Sequence, residues 1–395
     1  MQLESLRTTR VCGAAAPLSL LMAACSSETF TTASDAGSPV DASADAVTGG
    51  DAAPACPPGV DFKADPKNCG TCGRDCLDGA CAEGMCLPVK LADGNDFYSV
   101  SSVVVGSEAA YLSTFQTPTI YRVDKASPYK TSVVVKTFGS AQLALAPDAL
   151  WWTDSSQDGT NEGGIYKLAL PAASLAQKLV PLQSPRGIAI DSEGVFVATD
   201  YAQGVSGLLS SGFAKLAEES QQGAVSGLAT DGHYVYWTSK SLGVLRSVWK
   251  LSAGRPARTI VTGQASPESI AIDAKALYWS NSGSSARCDD PLAAGAAGSI
   301  MKANLLPDGL VGAPVVLAAD EPCVDAIAID GTHVYWSNAV RLPEGRIRRV
   351  AKSGGPAETL LAVLGKPRAL TLDANGVYYI HEPIANQATL YRVAK

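Results

Sequence analysis

The chain has 395 residues, a formal net charge of −7 and only 17% charged residues. That balance argues against nucleic acid or an anionic membrane surface as the partner. Three histidines leave little material for imidazole-based metal or acid–base sites, while 37 glycines and 23 prolines suit a turn-rich β protein.

Residues 1–24 have the form of an export signal. Arg7 and Arg10 precede an apolar run from Val11 to Ala24, too short to span a bilayer and suited to a signal-peptide core. It ends in Leu20-Leu21-Met22-Ala23-Ala24-Cys25-Ser26. This stretch resembles the lipobox of bacterial lipoproteins, with Met22 where leucine is commoner. The resemblance implies cleavage before Cys25, lipid attachment to it and, with serine next, sorting to the outer membrane. The membrane contact expected is therefore an anchor, with no span. An ordinary cleaved signal that leaves Cys25 incidental is the alternative.

Residues 25–55 are rich in Ser, Thr, Ala, Asp and Gly, with Phe30 the only aromatic. Such a stretch buries too little apolar area to offset chain entropy and reads as a flexible tether. Residues 56–86 then carry Cys56, Cys69, Cys72, Cys76, Cys81 and Cys86. A segment this short needs cross-links to fold. Cys69 and Cys72 have zinc-like spacing, but export favours disulfides, and six cysteines leave the pairing open. The pattern resembles cysteine-rich segments that precede repeats in myxobacterial-type lipoproteins. No activity follows from it, and a rigid spacer is the simplest role.

From residue 87 to the C-terminus one phrase recurs: apolar strand, polar turn, aromatic strand. Its clearest copies are Ile270-Ala271-Ile272-Asp273 followed by Leu277-Tyr278-Trp279-Ser280-Asn281, and Ile327-Ala328-Ile329-Asp330 followed by Val334-Tyr335-Trp336-Ser337-Asn338. Aligned on the turn, the seven copies fall at Gly106, Ala146, Asp191, Asp231, Asp273, Asp330 and Asp373, with steps of 40, 45, 40, 42, 57 and 43 residues. Small residues in the first strand suit crowding near an axis, and one large aromatic per copy suits packing between sheets. A third strand reads apolar-x-basic-apolar, as in Ile120-Tyr121-Arg122-Val123, Val248-Trp249-Lys250-Leu251 and Leu390-Tyr391-Arg392-Val393. Its basic residues are expected at solvated edges. A weaker fourth strand follows.

Four strands per repeat of this period define a propeller blade. The fold expected is all-β, a seven-bladed β-propeller over 87–395. The last copy stops after its third strand, and Pro88-Val89-Lys90-Leu91-Ala92 supplies the missing one. Residues 88–92 are therefore expected beside 389–394, closing the ring. The Tyr-Trp-Ser/Thr-Asn/Asp ends resemble YWTD repeats and, more loosely, NHL repeats. YWTD rings commonly have six blades, so seven is a departure.

Candidate site residues come from one register. Five positions before each turn, the ring reads Ser101, Ala141, Arg186, Ser226, Glu268, Asp325 and Arg368, at the mouth where propellers usually bind ligands. Asp325 and Arg368 are expected to pair. Glu268 and Asp325, as like charges on adjacent blades, are the candidate ligands for calcium; the alternative is a solvated rim of local ion pairs. The long fifth repeat adds Asp289 and Asp290 beside Cys288, which is expected to bridge to Cys323 and pin a flap near the mouth. His381, beside Glu382, is the one histidine expected on the mouth face, whereas His233 and His333 fall on turns at the opposite face. These readings favour a non-catalytic envelope lipoprotein that binds an envelope or extracellular protein or glycan. The alternative is a propeller lyase or metal-dependent hydrolase with its site in the mouth.

Overall fold

The computed structural model describes residues 56–395 apart from 95–96, 98, 157–162, 172–174, 200–203, 218–224, 251–255, 285–287, 289–296, 341–343 and 383–386. The signal, Cys25 and the tether lie outside these described residues, as do Asp289 and Asp290.

Residues 89–394 form a seven-bladed β-propeller, each blade a four-stranded antiparallel sheet. The inner strands are Val100–Val105, Gly139–Ala146, Pro185–Ile190, Val225–Thr230, Pro267–Ile272, Val324–Ile329 and Lys366–Leu372. Each packs on the next, and Lys366–Leu372 packs back on Val100–Val105, so the ring is closed. Blade 7 takes its fourth strand from the N-terminal side. Val89–Ala92 pairs with Thr389–Ala394, placing Val89 opposite Arg392 and Lys90 opposite Tyr391. This is the closure expected from the sequence, and it covers what would otherwise be a free sheet edge.

The aromatic strands supply the core between blades. Trp152, Trp237, Trp279 and Trp336, with Tyr236, Tyr278, Tyr335 and Tyr378, are all but fully buried. Tyr278 of blade 5 shares a cluster with Val334 and Trp336 of blade 6. A flat side chain from each sheet thus leans on its neighbour, burying apolar area that a lone thin sheet would leave wet.

A polar device repeats beneath that core, at the end of the ring opposite the mouth. Asp273 accepts the backbone N–H groups of Lys275 and Ala276 at 2.8 and 2.9 Å, closing the first turn. Its second oxygen accepts the Tyr278 hydroxyl at 3.1 Å and the Lys352 ammonium of blade 6 at 2.7 Å. Asp330 repeats this with Tyr335 at 2.8 Å and Lys395 of blade 7 at 3.1 Å. Asp373 does so with Tyr378 at 2.8 Å and Lys125 of blade 1 at 2.6 Å, and Asp191 takes Lys250 of blade 4. Each lysine also lies over an aromatic ring of the preceding blade, as Lys352 does over Tyr278 at 5.1 Å.

Two of the third-strand basic residues depart from the sequence expectation of solvated edges, while Arg122, Lys167, Lys302 and Arg349 stay partly exposed. Arg392 is only 6% exposed, and Lys250 only 2%. Lys250 also belongs to a different column from the one its sequence suggests. Pairing sets Ser247 opposite Tyr236, as Arg122 stands opposite Tyr111 and Arg392 opposite Tyr378. The basic column in blade 4 is therefore occupied by Ser247, and Lys250 is one of the clasp lysines.

The cysteine-rich segment forms Cys56–Cys72, Cys69–Cys81 and Cys76–Cys86, and the expected Cys288–Cys323 bridge is present as well. Four disulfides mark an exported chain that matures in an oxidising compartment. In place of a free-standing spacer, the segment is docked on blade 7. Ala394 sits in the cluster of Cys69, Cys76 and Cys86. Arg392 donates to the Leu77 carbonyl, to Asp78 at 3.1 Å and to the Lys125 carbonyl at 3.2 Å. Arg74 donates to the Lys395 carbonyl at 3.1 Å. These contacts cluster at the end of the ring opposite the mouth.

Two outcomes test this account. Turn amides, the Tyr335 hydroxyl and Lys395 outweigh burial and hold the Asp330 carboxyl below its ordinary pKa. A folded-state pKa that is depressed gives stability that is complete above the unfolded value, about 4, and is lost as pH falls through the folded one. Asp330→Asn is therefore expected to lower stability by about 2–3 kcal/mol at neutral pH. The gap between its stability and that of wild type should narrow progressively as pH falls below about 4, as measured by thermal denaturation across pH. Deletion of residues 88–92 should leave the Thr389–Ala394 edge open and give aggregation in place of a monomeric peak on size exclusion.

Candidate functional site

The mouth lies where second-to-third strand loops and blade-to-blade connections meet. The register of Ser101, Ser226, Glu268, Asp325 and Arg368 coincides with a recurrent irregularity. Pairing of the inner with the second strand shifts between Val100 and Ser102, Val225 and Gly227, Pro267 and Ile270, Val324 and Ile327, and Arg368 and Thr371. These are β-bulges, which re-aim a side chain that a regular strand would direct elsewhere. Blade 2 pairs without a shift from Gly139 to Ala146, and Ala141 sits there.

The bulges are tied across blades. The Thr238 hydroxyl donates to the Glu268 carbonyl at 2.6 Å and that of Thr153 to the Arg186 carbonyl at 3.4 Å. Ser102 and Ser269 accept the backbone N–H groups of Leu143 and Ile327, both at 3.1 Å. Gly227 is required here: a Cβ would come within 2.4 Å of the Glu268 carbonyl oxygen.

These positions frame a central cavity of about 360 Å³. Ser101, Ser226, Glu268, Asp325 and Arg368 line it together with Gln142, Ser102 and Ser269, above a floor that includes Val103, Leu143, Ile188, Leu228, Ile270 and Leu370. Arg186 shares the register but is not part of the cavity wall. Arg368 and Asp325 pair as expected, at 3.1 Å, and Arg368 also reaches Glu382 at 3.3 Å. Asp325 additionally accepts the Ala369 N–H at 3.2 Å. The Asp325 charge, reinforced by Glu382, holds the Arg368 guanidinium above its ordinary pKa. Glu268 faces Lys240 at 3.0 Å. The two carboxylates named as calcium ligands are thus each engaged by a cation of their own.

His381 is turned to the rim. Its Nε2 donates to the Leu364 carbonyl at 2.6 Å, and no histidine is among the described residues that line the cavity. His233 and His333 lie in the first turns, as expected. Sequence reasoning missed Glu321, an acid 1% exposed. Burial raises its pKa, while the Trp336 indole N–H at 2.9 Å and Arg348 oppose that rise. Gln264 has the matching role in blade 5, accepting the Trp279 indole at 2.9 Å and the Asn281 amide at 3.0 Å. Both stand three residues before their inner strand, a spacing that was readable. Glu321 is thereby a structural acceptor away from the cavity.

Two phenylalanines stand on the mouth face. Phe115, 43% exposed, is in the second-to-third strand loop of blade 1, and Phe138, 52% exposed, is in the connection to blade 2. The Thr137 N–H donates to the Pro118 carbonyl at 2.9 Å, joining the two loops. The Phe138 N–H is held by the Asp154 carboxylate at 2.8 Å. Leu364, 74% exposed, lies on the same face between blades 6 and 7.

No family model and no curated protein matches the chain. Among solved structures, it is similar to a chain in a nidogen/laminin complex at 19% identity, covering 70% of this chain and 86% of that one with a TM-score of 0.42. A functionally unknown protein from Desulfotomaculum acetoxidans aligns at 10% identity over 68% of this chain and 87% of its own, with a TM-score of 0.52. The AfRom2 CNH domain aligns at 10% identity over 78% and 99%, also with a TM-score of 0.52. The last two likenesses support the fold alone.

Arg368→Gln is expected to leave Asp325 and Glu382 facing each other without their shared cation. Differential scanning fluorimetry should then show a calcium-dependent rise in Tm that wild type lacks at the same calcium concentration. An equal response in both proteins would mean that Arg368 does not govern cation access.

Proposed function

We propose that this chain is a lipid-anchored protein of the cell envelope whose propeller binds a protein partner through the mouth face. The observation that carries this reading is the pair of exposed phenylalanines on two joined loops of the mouth face. Exposed aromatic anchors are the usual centre of a protein interface, and polar groups the usual rim. The rim charges described above are already paired, which suits a recognition surface better than a reaction requiring a free acid or base.

The cysteine-rich segment docks at the end of the ring opposite the mouth and so leaves the mouth face uncovered among the described residues. The YWTD-like repeat ends agree with this reading, since they carry the Trp and Asn contacts that brace the mouth connections.

Placing a photo-crosslinking residue at Phe138 in cells should trap a discrete envelope or extracellular protein. The same residue at Glu193, in a first turn on the opposite face, should not. Phe115→Ala combined with Phe138→Ala should weaken that complex roughly tenfold or more while leaving Tm nearly unchanged, because both rings are exposed. Crosslinks confined to blade sides, with none from the mouth, would overturn the assignment.

A further inference from the structure

A second concavity opens at the other end of the ring, between blades 4 and 5. It measures about 190 Å³ and is lined by Tyr234, Ser247, Trp249, Pro256, Arg258 and Asp308, with Val248 behind them. It exists because blade 4 departs from the repeat. In the column where Arg122, Lys167, Lys302, Arg349 and Arg392 stand opposite the aromatic strand, blade 4 has Ser247. The short side chain leaves the space that a long basic one would fill. At the last position of the same strand, where other blades place residues such as Asp124, Asn304 or Ala394, blade 4 has Trp249.

The far wall is a preformed loop of blade 5. A bridge joins Leu305 to Val311, and the Leu306 N–H donates to the Leu310 carbonyl at 2.9 Å. Ser247 donates its hydroxyl to the Gly309 carbonyl at 2.8 Å, and Arg258 donates to the Asp308 carbonyl at 3.0 Å. Gly309, at φ +70°, lies so close to Tyr234 that a Cβ would fall 2.3 Å from the ring. The loop therefore seats only with glycine there, and both walls are fixed before any ligand arrives.

We infer that this cleft is a saccharide subsite that takes one neutral hexopyranose ring. The chemistry on its walls selects that class. An indole 39% exposed, a phenol and a proline offer apolar faces to the C–H side of a sugar ring. The Asp308 carboxylate accepts hydroxyl protons, and the remaining guanidinium N–H groups of Arg258 donate to ring and hydroxyl oxygens. A quaternary ammonium would find the aromatic faces attractive but would meet the charge of Arg258. A free carboxylate or phosphate would meet Asp308. A neutral polyol uses both groups and is repelled by neither. The inference is independent of the mouth reading, since the cleft lies on the opposite face and shares no residue with it.

The test is a titration of the full folded chain with methyl glucopyranoside, methyl galactopyranoside, methyl mannopyranoside and N-acetylglucosamine, read by calorimetry and tryptophan fluorescence. Saturable binding of at least one, with a Kd of about 1 mM as fits a dozen heavy atoms, is expected. Trp249→Ala and Asp308→Ala should each weaken it about tenfold or more. Because Trp249 is partly buried and Asp308 stands at positive φ, each variant is checked for a cooperative melt, and Asp308→Asn, which keeps that backbone conformation, should weaken binding as well. Three results would overturn the inference: no saturable response to any of the four sugars, binding unchanged in both variants, or binding of choline in preference to every sugar.

Discussion

The propeller depends on one repeated contact: an aspartate in the first turn of one blade, claimed by the lysine that ends the third strand of the next. In four junctions the carboxylate completes its own turn and then reaches across to the neighbouring sheet. The Lys250 member is the most buried, with its side chain 2% exposed. A pair this dry is strongly destabilising to break, because removing one partner strands the other's charge. Its value is less in net energy than in geometry. A fixed distance between turn and strand end sets the angle between blades, and with it whether the aromatic layer meets across the gap.

Closure then becomes a problem of one blade. Blade 7 contributes the last lysine to Asp330 and the last aspartate to Lys125, yet its outer strand comes from the N-terminal side. Two long-range events must coincide there, and the cysteine-rich segment sits over that place. Arg392 gathers carbonyls from Leu77 and Lys125, tying together the segment, the final strand and blade 1. The three disulfides restrain the unfolded chain close to the strand that has to find its partner. The segment is thus part of the fastening of the ring, which explains why it does not read as an independent spacer once the fold is known.

Much of this was legible in the sequence, because a repeat exposes its own rules. The aspartate column, the aromatic pair, the Cys288–Cys323 bridge and the pairing of Val89–Ala92 with the last strand all follow from spacing. The mouth register was legible too, though not its cause. A one-residue bulge in an inner strand leaves no signature in hydrophobic alternation, so the shift under this register emerged only from pairing; Arg186 has the same shift and still stands outside the cavity wall, which pairing does not explain. The clasp lysines were missed because a lysine after an amphipathic strand looks the same whether it meets water or the next blade's aspartate. Blade 4 misled further. Val248-Trp249-Lys250 imitates the basic column, and three residues of slip were invisible without the partner strand.

That slip carries a general consequence for reading such rings. Positions that keep the repeat are explained by the repeat: Asp273 and Tyr278 are there because blades must join. Positions that break it are where something else constrained the residue. Ser247 and Trp249 break it together and are joined by Gly309 from the adjacent blade, so a deep notch and an aromatic wall appear in the same place. Phe115 and Phe138 break it at the mouth, where exposed aromatic rings cost solubility and contribute nothing to the interior. Two departures on opposite faces, each with its walls held by hydrogen bonds, stand out against the four junctions that share the aspartate–lysine contact. A propeller with one face for a protein and the other for a sugar would bridge two partners, with the rigid ring fixing the distance between them.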